Sequence, residues 1–293
     1  MKLSIMFITH NRKEELKRAI KSCIKNSIEN MEFVIVDNNS TDGTESEIKQ
    51  LLTDAKTKFT YFFSNTNLGV SGGRNKAYSL CKGEYIFGFD DDAILIEKDF
   101  FKRTCEYMDL NKDVGILSYD IYEPSTGKRL VSHHEKNKNS EGMPLSLSFI
   151  GAAHTLRSSI FDDKIYPEKL FFGSEELYAS HISWEKGYKV VYTSQLKVHH
   201  LPSSINRVKG NDRAYNIILN QYIVRILTYP YPLWSILTIL LILRLIKNRL
   251  CSFKYIKKII KDIRIRYSKY ERYRMSYKTI TMLINKFGFR NIF

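Results

Sequence analysis

Residues 85–94 read YIFGFDDDAI, an aromatic and apolar run that stops on three consecutive carboxylates, Asp90, Asp91 and Asp92. Like charges packed this closely repel, so one of them must keep its proton or the group must share a cation. Oxygen ligands suit hard divalent ions such as magnesium or manganese. A solvated acidic turn is the simpler alternative, because charge runs usually mark exposed loops. Other residues able to do chemistry also stand at the ends of apolar runs or in glycine-containing stretches: Thr9, Asp37, Arg74, the pair Glu175 and Glu176, and the pair His199 and His200.

Positioning them requires a regular frame, and the first 200 residues alternate strand and helix signals in the manner of a parallel sheet with crossover helices. Residues 3–9 read as a strand, followed by Leu16, Ile20 and Ile24 at helical spacing. A second strand over 33–36 ends at Asp37, and DNNSTDGT opens a helix through Leu52 with Thr41 or Thr44 as its cap. A third strand over 59–63 precedes NLGVSGGRNKA, read as a glycine-containing loop leading to a short helix. The strand over 85–89 then delivers the aspartates. In open parallel sheets ligands gather at the carboxyl ends of strands, and Thr9, Asp37, Arg74 and the aspartates fall at or just beyond such ends. A helix near 99–110 and a strand VGILSYDIY follow, and the polar stretch through Gly142, with His133 and His134, reads as a mobile loop or lid.

The 293 residues, 43% hydrophobic, can bury a substantial core. The net charge of +15 is unevenly distributed: 19 of the 46 basic and 3 of the 31 acidic residues lie from Leu201 onward, leaving 27 and 28 before it. The tail therefore carries the whole surplus. From Ile226 to Leu243 no residue is charged, but Pro230 and Pro232 leave only LWSILTILLIL uninterrupted, about 11 residues where a bilayer span needs roughly 20. Bases interleaved with Leu, Ile, Phe and Tyr beyond it have the composition of a helix lying on an anionic membrane surface. A helix packed on its own domain, a dimer contact and RNA binding are the alternatives, and nucleic acid is not expected. The short apolar start lacks a cleavage site, and Cys23, Cys81, Cys105 and Cys251 form no CxxC pair, so the expectation is a reduced, cytoplasmic setting at the inner face of the cell membrane.

FITHNR, VIVDNNSTDGT, NLGVSGGRNKA, FDDDA and GSEEL…GYKVVY…VHH, in that order over about the first 205 residues, resemble the family 2 glycosyltransferases. The resemblance implies an α/β GT-A fold, Rossmann-like, with a mostly parallel central sheet flanked by helices over 1–205, and leaves 206–293 as a basic helical extension that associates with membrane or dimerises into a homo-oligomer. It implies an inverting transfer of sugar from a nucleoside diphosphate sugar, a UDP-sugar, to a saccharide or lipid-linked acceptor in surface-polysaccharide synthesis, with Mn2+ or Mg2+ as cofactor. By carry-over, Asp92 ligates the metal, Asp91 contacts the ribose, and Asp90 sits behind them. Asp37, with Thr9 and Asn39, holds the nucleotide base, and Arg74 reaches the base or diphosphate. Glu176 stands where the family has its catalytic Asp; the extra methylene leaves the choice between Glu175 and Glu176 open. His200, in alternation with Leu196 and Val198, is the metal or phosphate candidate, and Trp184 with residues 151–154 borders the acceptor. Ile182 stands where the family often has an arginine. Two rivals remain: a phosphohydrolase using FDDDAI as its nucleophile loop, although that motif usually opens its fold, and a catalytically silent scaffold on the membrane.

Overall fold

The computed structural model describes residues 1–130, 133–170, 173–203, 210–248 and 253–293. The N-terminal part alternates β1 (Leu3–Thr9), α1 (Lys13–Ile24), β2 (Met31–Asp37), α2 (Thr44–Asp54), β3 (Lys58–Phe63), α3 (Gly69–Leu80) and β4 (Tyr85–Phe89). It continues through β5 (Ala93–Leu95), α4 (Phe100–Leu110), β6 (Val114–Glu123), β7 (Lys128–Leu130), β8 (His133–Lys138), β9 (Pro144–Ser146), β10 (Ala153–Arg157), α5 (Glu175–Glu185) and β11 (Lys189–His200). The central path runs β3-β2-β1-β4-β10-β6-β11-β9-β8. It is parallel through its first four strands and again between β6 and β11, while β10 inserts antiparallel between β4 and β6. β1, β2 and β4 are apolar and almost wholly buried, as expected where helices cover both faces of a sheet. On α1 the buried Leu16, Ala19, Ile20 and Cys23 recur at three- and four-residue intervals, which turns one stripe onto the sheet.

Three local expectations are corrected. The glycine stretch is not a loop before a helix but the first turns of α3, opened by the Asn67 side chain accepting the Gly69 N–H at 2.9 Å. A Cβ on Gly73 would stand 3.0 Å from Asn38 Nδ2 and 3.1 Å from Ile8 Cγ2, so this glycine lets α3 lie close against the loop after β2 and the end of β1. Neither Thr41 nor Thr44 caps α2. Gly43 precedes it at φ +82°, and Asp42 Oδ1 accepts the Thr44 N–H at 3.1 Å. The polar stretch read as a lid instead supplies β7 and β8, and Arg129 of β7 reaches back to the buried Asp120 of β6. The side chains of His133 and His134 lie outside the described residues.

The C-terminal extension comprises α6 (Gly210–Thr228), α7 (Trp234–Lys247), α8 (Phe253–Arg266) and α9 (Tyr277–Phe287). The boundary expected at 205/206 falls within residues 204–209, and Cys251 within 249–252, both outside the described residues. α6 packs on α5 and α7, with His181 hydrogen-bonded to Thr228 at 2.8 Å and Tyr229 donating to the Ile292 carbonyl at 2.7 Å. Among the described residues no helix is long and apolar enough to cross a membrane.

The strand that carries the aspartates has no spare room. A Cβ on Gly88 of β4 would lie 2.4 Å from Cε1 of the buried His154 and 3.1 Å from Met6. Gly88→Ala is expected to cost about 1–3 kcal/mol by overpacking, seen as a lower urea midpoint with an unchanged slope.

Candidate active site

A cavity of about 790 Å³ opens where β1 and β4 end, and most of the chemistry-bearing residues face it. Asp90 caps β4, its N–H donating to the Ala152 carbonyl at 3.0 Å and its side chain partly open. Asp91 and Asp92 are buried to 5% exposure, so they do not form a solvated turn. Asp91 accepts from Thr9 Oγ1 and from Arg12 Nη1, both at 2.9 Å. Burial, with Asp92 and Asp90 adding to it against Arg12, pushes Asp91 up to about 7. Burial also works against ionising Asp92, but His200 Nε2 at 3.2 Å and the Ser203 N–H at 3.0 Å hold it below the ordinary carboxylate range.

His200 reaches this group because β5 pairs antiparallel with the end of β11, setting His200 opposite Ala93. Its second ring nitrogen meets Glu123 Oε1 at 3.1 Å. Desolvation opposes the charged ring, yet Asp92 and Glu123 raise it to about 9. His199 turns to the other face, against the Tyr122 ring at 5.6 Å. One ligand atom each from Asp90, Asp92 and His200 lie within 4.8 Å of one another. Two carboxylates and an imidazole fit Mn2+ or Mg2+, with Asp90 added to the two residues the motif suggested.

Across the cavity, the first turn of α5 presents the two glutamates. Glu175 is turned inward, 2% exposed, with Oε1 3.2 Å from Arg74 Nη1 and Oε2 without a partner among the described residues. Glu176 is the more open, its Oε1 3.7 Å from the same nitrogen. Arg74 was expected at the base or diphosphate; its hydrogen bonds go to Asp90 at 2.8 Å, the Gly151 carbonyl at 3.0 Å and Glu175. A Cβ on Gly151 would fall 2.2 Å from Glu176 Oε1 and 3.0 Å from both terminal nitrogens of Arg74, so the glycine makes room for this group.

Asp37 lies apart from the cavity lining, its oxygens taken by Tyr61 at 2.6 Å and the Ser40 N–H at 2.8 Å. Asn39 beside it adopts φ +70° and does not line the cavity, whereas its neighbour Asn38 does, with a buried Oδ1 that no described group satisfies. Trp184 is core: it donates to the Ser146 carbonyl and stands edge-on to Phe287. Sequence reasoning missed Arg12, Asn38 and Glu123, while Gly151, expected with residues 152–154 at the acceptor side, does line the cavity. HNR directly after the first strand was the available signal for Arg12. Nothing local marked Glu123, which only the β6–β11 pairing brings to His200.

Residues 4–163 match the profile described as Glycosyl transferase family 2. An uncharacterized protein of Haemophilus influenzae is 27% identical over 160 residues, 53% of this chain and 86% of its own. The GalNAc(5)-diNAcBac-PP-undecaprenol beta-1,3-glucosyltransferase of Campylobacter jejuni is 33% identical over 96 residues, 32% of this chain and 31% of its own. Among solved structures, GalNAc-T7 with UDP, GalNAc and Mn2+ superposes with a TM-score of 0.65 at 14% identity, covering 91% of this chain and 55% of that one, a likeness in fold. The chain thus spans less than two thirds of the length of the latter two.

The glutamate pair carries a pH signature. Burial, then Glu175, against Arg74, push Glu176 up to about 8 from its ordinary 4.5, and burial raises Glu175 as well. A carboxyl raised in the folded state contributes its full stability below its unfolded value and loses it as pH rises through the folded one. Urea midpoints are therefore expected to fall as pH rises from about 4.5, the ordinary value of the carboxyl, to about 8, its folded one. Glu176→Gln should flatten that fall; a decline as steep as in the unmodified chain would contradict the assignment.

Proposed function

Because the chain belongs to glycosyl transferase family 2, and so acts on a nucleotide-sugar donor through a GT-A fold, we propose that it transfers the sugar of a UDP-sugar, with inversion and with a divalent metal, to a hydroxyl of a saccharide or lipid-linked acceptor. The observation that carries this reading is the convergence of three strand-end aspartates and a helix-start glutamate pair on one cavity, joined by Arg74. UDP and Mn2+ in the structurally similar GalNAc-T7 support the choice of base and ion.

Asp90, Asp92 and His200 would hold the metal. When bound, it supplies Lewis-acid stabilisation to the departing diphosphate, an effect of several kcal/mol in such sites. Thr9 and Arg12 fix Asp91, which is then oriented to accept from the donor's ribose. Glu176, the more open of the pair, takes the proton of the acceptor hydroxyl as its oxygen bonds to the anomeric carbon and the bond to the diphosphate breaks. Its raised affinity for a proton makes it the stronger base, and positioned proton transfer contributes typically about 10²–10⁴-fold. Glu175, bonded to Arg74, positions its neighbour.

The extension supports a place at the cytoplasmic face of an anionic membrane. α7 leaves Ile239 at 58%, Leu243 at 55% and Ile246 at 57% exposure along one side, in a segment that holds the whole basic surplus. A second copy of the chain is the alternative occupant of that side.

Asp92→Asn is expected to abolish Mn2+-dependent UDP binding without lowering the melting temperature by more than a few degrees; metal-dependent binding that survives would remove Asp92 from the site. Glu176→Gln should keep donor binding and lower kcat by about 10²–10⁴-fold. The double variant Ile239→Asp/Leu243→Asp should stop cosedimenting with phosphatidylglycerol vesicles, and salt should release the unmodified chain. Undiminished sedimentation would leave the membrane reading without its surface.

A further inference from the structure

One wall of the cavity has no task in this scheme. α6 turns Arg213, Ile217, Gln221 and Arg225 into the cavity, each four residues after the last, so that one stripe of the helix faces the site. Arg225 is buried to 6% exposure and meets neutral groups: Nε donates to the Ile292 carbonyl at 3.0 Å, Nη1 to the Gln221 carbonyl at 3.3 Å, and the Tyr229 side chain stands beside it. Among the described residues neither Arg225 nor Arg213 has a carboxylate partner. A second guanidinium, Arg244, stands beside Gln221, donating to its Oε1 at 3.1 Å. Burial, opposed by Tyr229 and reinforced by the charge of Arg244, holds Arg225 below the usual arginine range.

The stripe lies on the side of the base. Asn220 of α6 donates to the Gly173 carbonyl at 2.9 Å, and a Cβ on Gly173 would stand 3.9 Å from Ile217. That pins α6 to the turn from which Glu175 and Glu176 start. The aspartate end, by contrast, already has Arg12 paired with Asp91 and Asp92. An anion drawn to α6 therefore arrives with the molecule whose hydroxyl meets Glu176.

We propose that the acceptor carries a phosphate ester, and that Arg213 and Arg225 hold it while Ile217 lies against the adjoining apolar or sugar portion. Planar guanidinium groups match phosphate oxygens in charge and geometry. This assignment rests on the transferase reading above. The same chemistry is offered by a lipid diphosphate and by a phosphorylated sugar.

The test is calorimetric titration of the full chain, saturated with UDP and Mn2+, with farnesyl diphosphate, glucose 1-phosphate and farnesol. At least one anion is expected to bind, and farnesol to bind at least about tenfold more weakly. Arg213→Gln and Arg225→Gln should each weaken the anion by about tenfold or more while leaving UDP affinity unchanged. Preference for farnesyl diphosphate assigns the phosphate to a lipid carrier; preference for glucose 1-phosphate assigns it to the saccharide. Arg213 is exposed, so its variant keeps the test open if Arg225→Gln fails to fold. The proposal is overturned if neither anion binds, if farnesol binds as well as its diphosphate, if both arginine variants leave anion binding intact, or if they weaken UDP instead, which would make them donor ligands. UDP failing to bind the unmodified chain would overturn the transferase reading, an outcome distinct from all of these.

Discussion

The candidate site depends on one buried guanidinium. Arg74 is 6% exposed and lies among Asp90, Glu175, Glu176 and the Gly151 carbonyl, so the end of β4 and the start of α5 share a single counter-charge. Burial disfavours the cation, but Asp90, Tyr166 and the glutamates hold its proton firmly. Removing one partner of such a buried group typically costs about 3–5 kcal/mol, because the charges left behind have nothing to pair with. Arg74 gets there because Gly73 lets α3 settle onto the sheet and Gly151 leaves the space its head group fills. Two absent methyl groups thus set the distance between the aspartates at the end of β4 and the glutamate pair.

Much of this frame was legible in the residues. The strands leading to Thr9, Asp37 and Asp90 announce themselves as apolar runs, and α1 by its spacing, because these elements bury a continuous face. What local pattern could not carry is what tertiary contact decides. NLGVSGGRNKA reads as a loop because glycine weakens a helix in isolation; close packing against Asn38 and Ile8 reverses that preference. β5 is three residues long and exists only as a partner of β11, so no periodicity could reveal it. Arg12 and Glu123 become part of the site through contacts 79 and 77 positions away along the chain.

The basic tail was legible as a surplus of charge but not as a wall. Composition cannot distinguish arginines that face solvent from those that face a cavity, and α6 lines one cavity with two of them, Arg213 exposed and Arg225 buried. The result is a cavity polarised along its length, with carboxylates gathered at the strand ends and guanidinium groups without acidic partners along α6. A substrate with charge at both ends meets a complementary field before it makes any specific contact.

The pairing of β5 with β11 also makes the candidate metal cluster a matter of register. Ala93, next to Asp92, is held opposite His200, and the Leu201 N–H closes the clip on the Asp92 carbonyl at 2.8 Å. Because strand side chains alternate, a shift of one residue exchanges faces. β11 already carries an irregularity between Thr193 and Lys197, a place where its length can change. One residue gained there would bring His199 into the place of His200 and keep an imidazole beside Asp92, though Lys197 would replace the buried Val198. One residue lost would bring Leu201, with no ligand atom at all. The doubled histidine therefore gives this strand a directional tolerance: drift in length through insertion preserves the cluster's chemistry, and drift through deletion ends it.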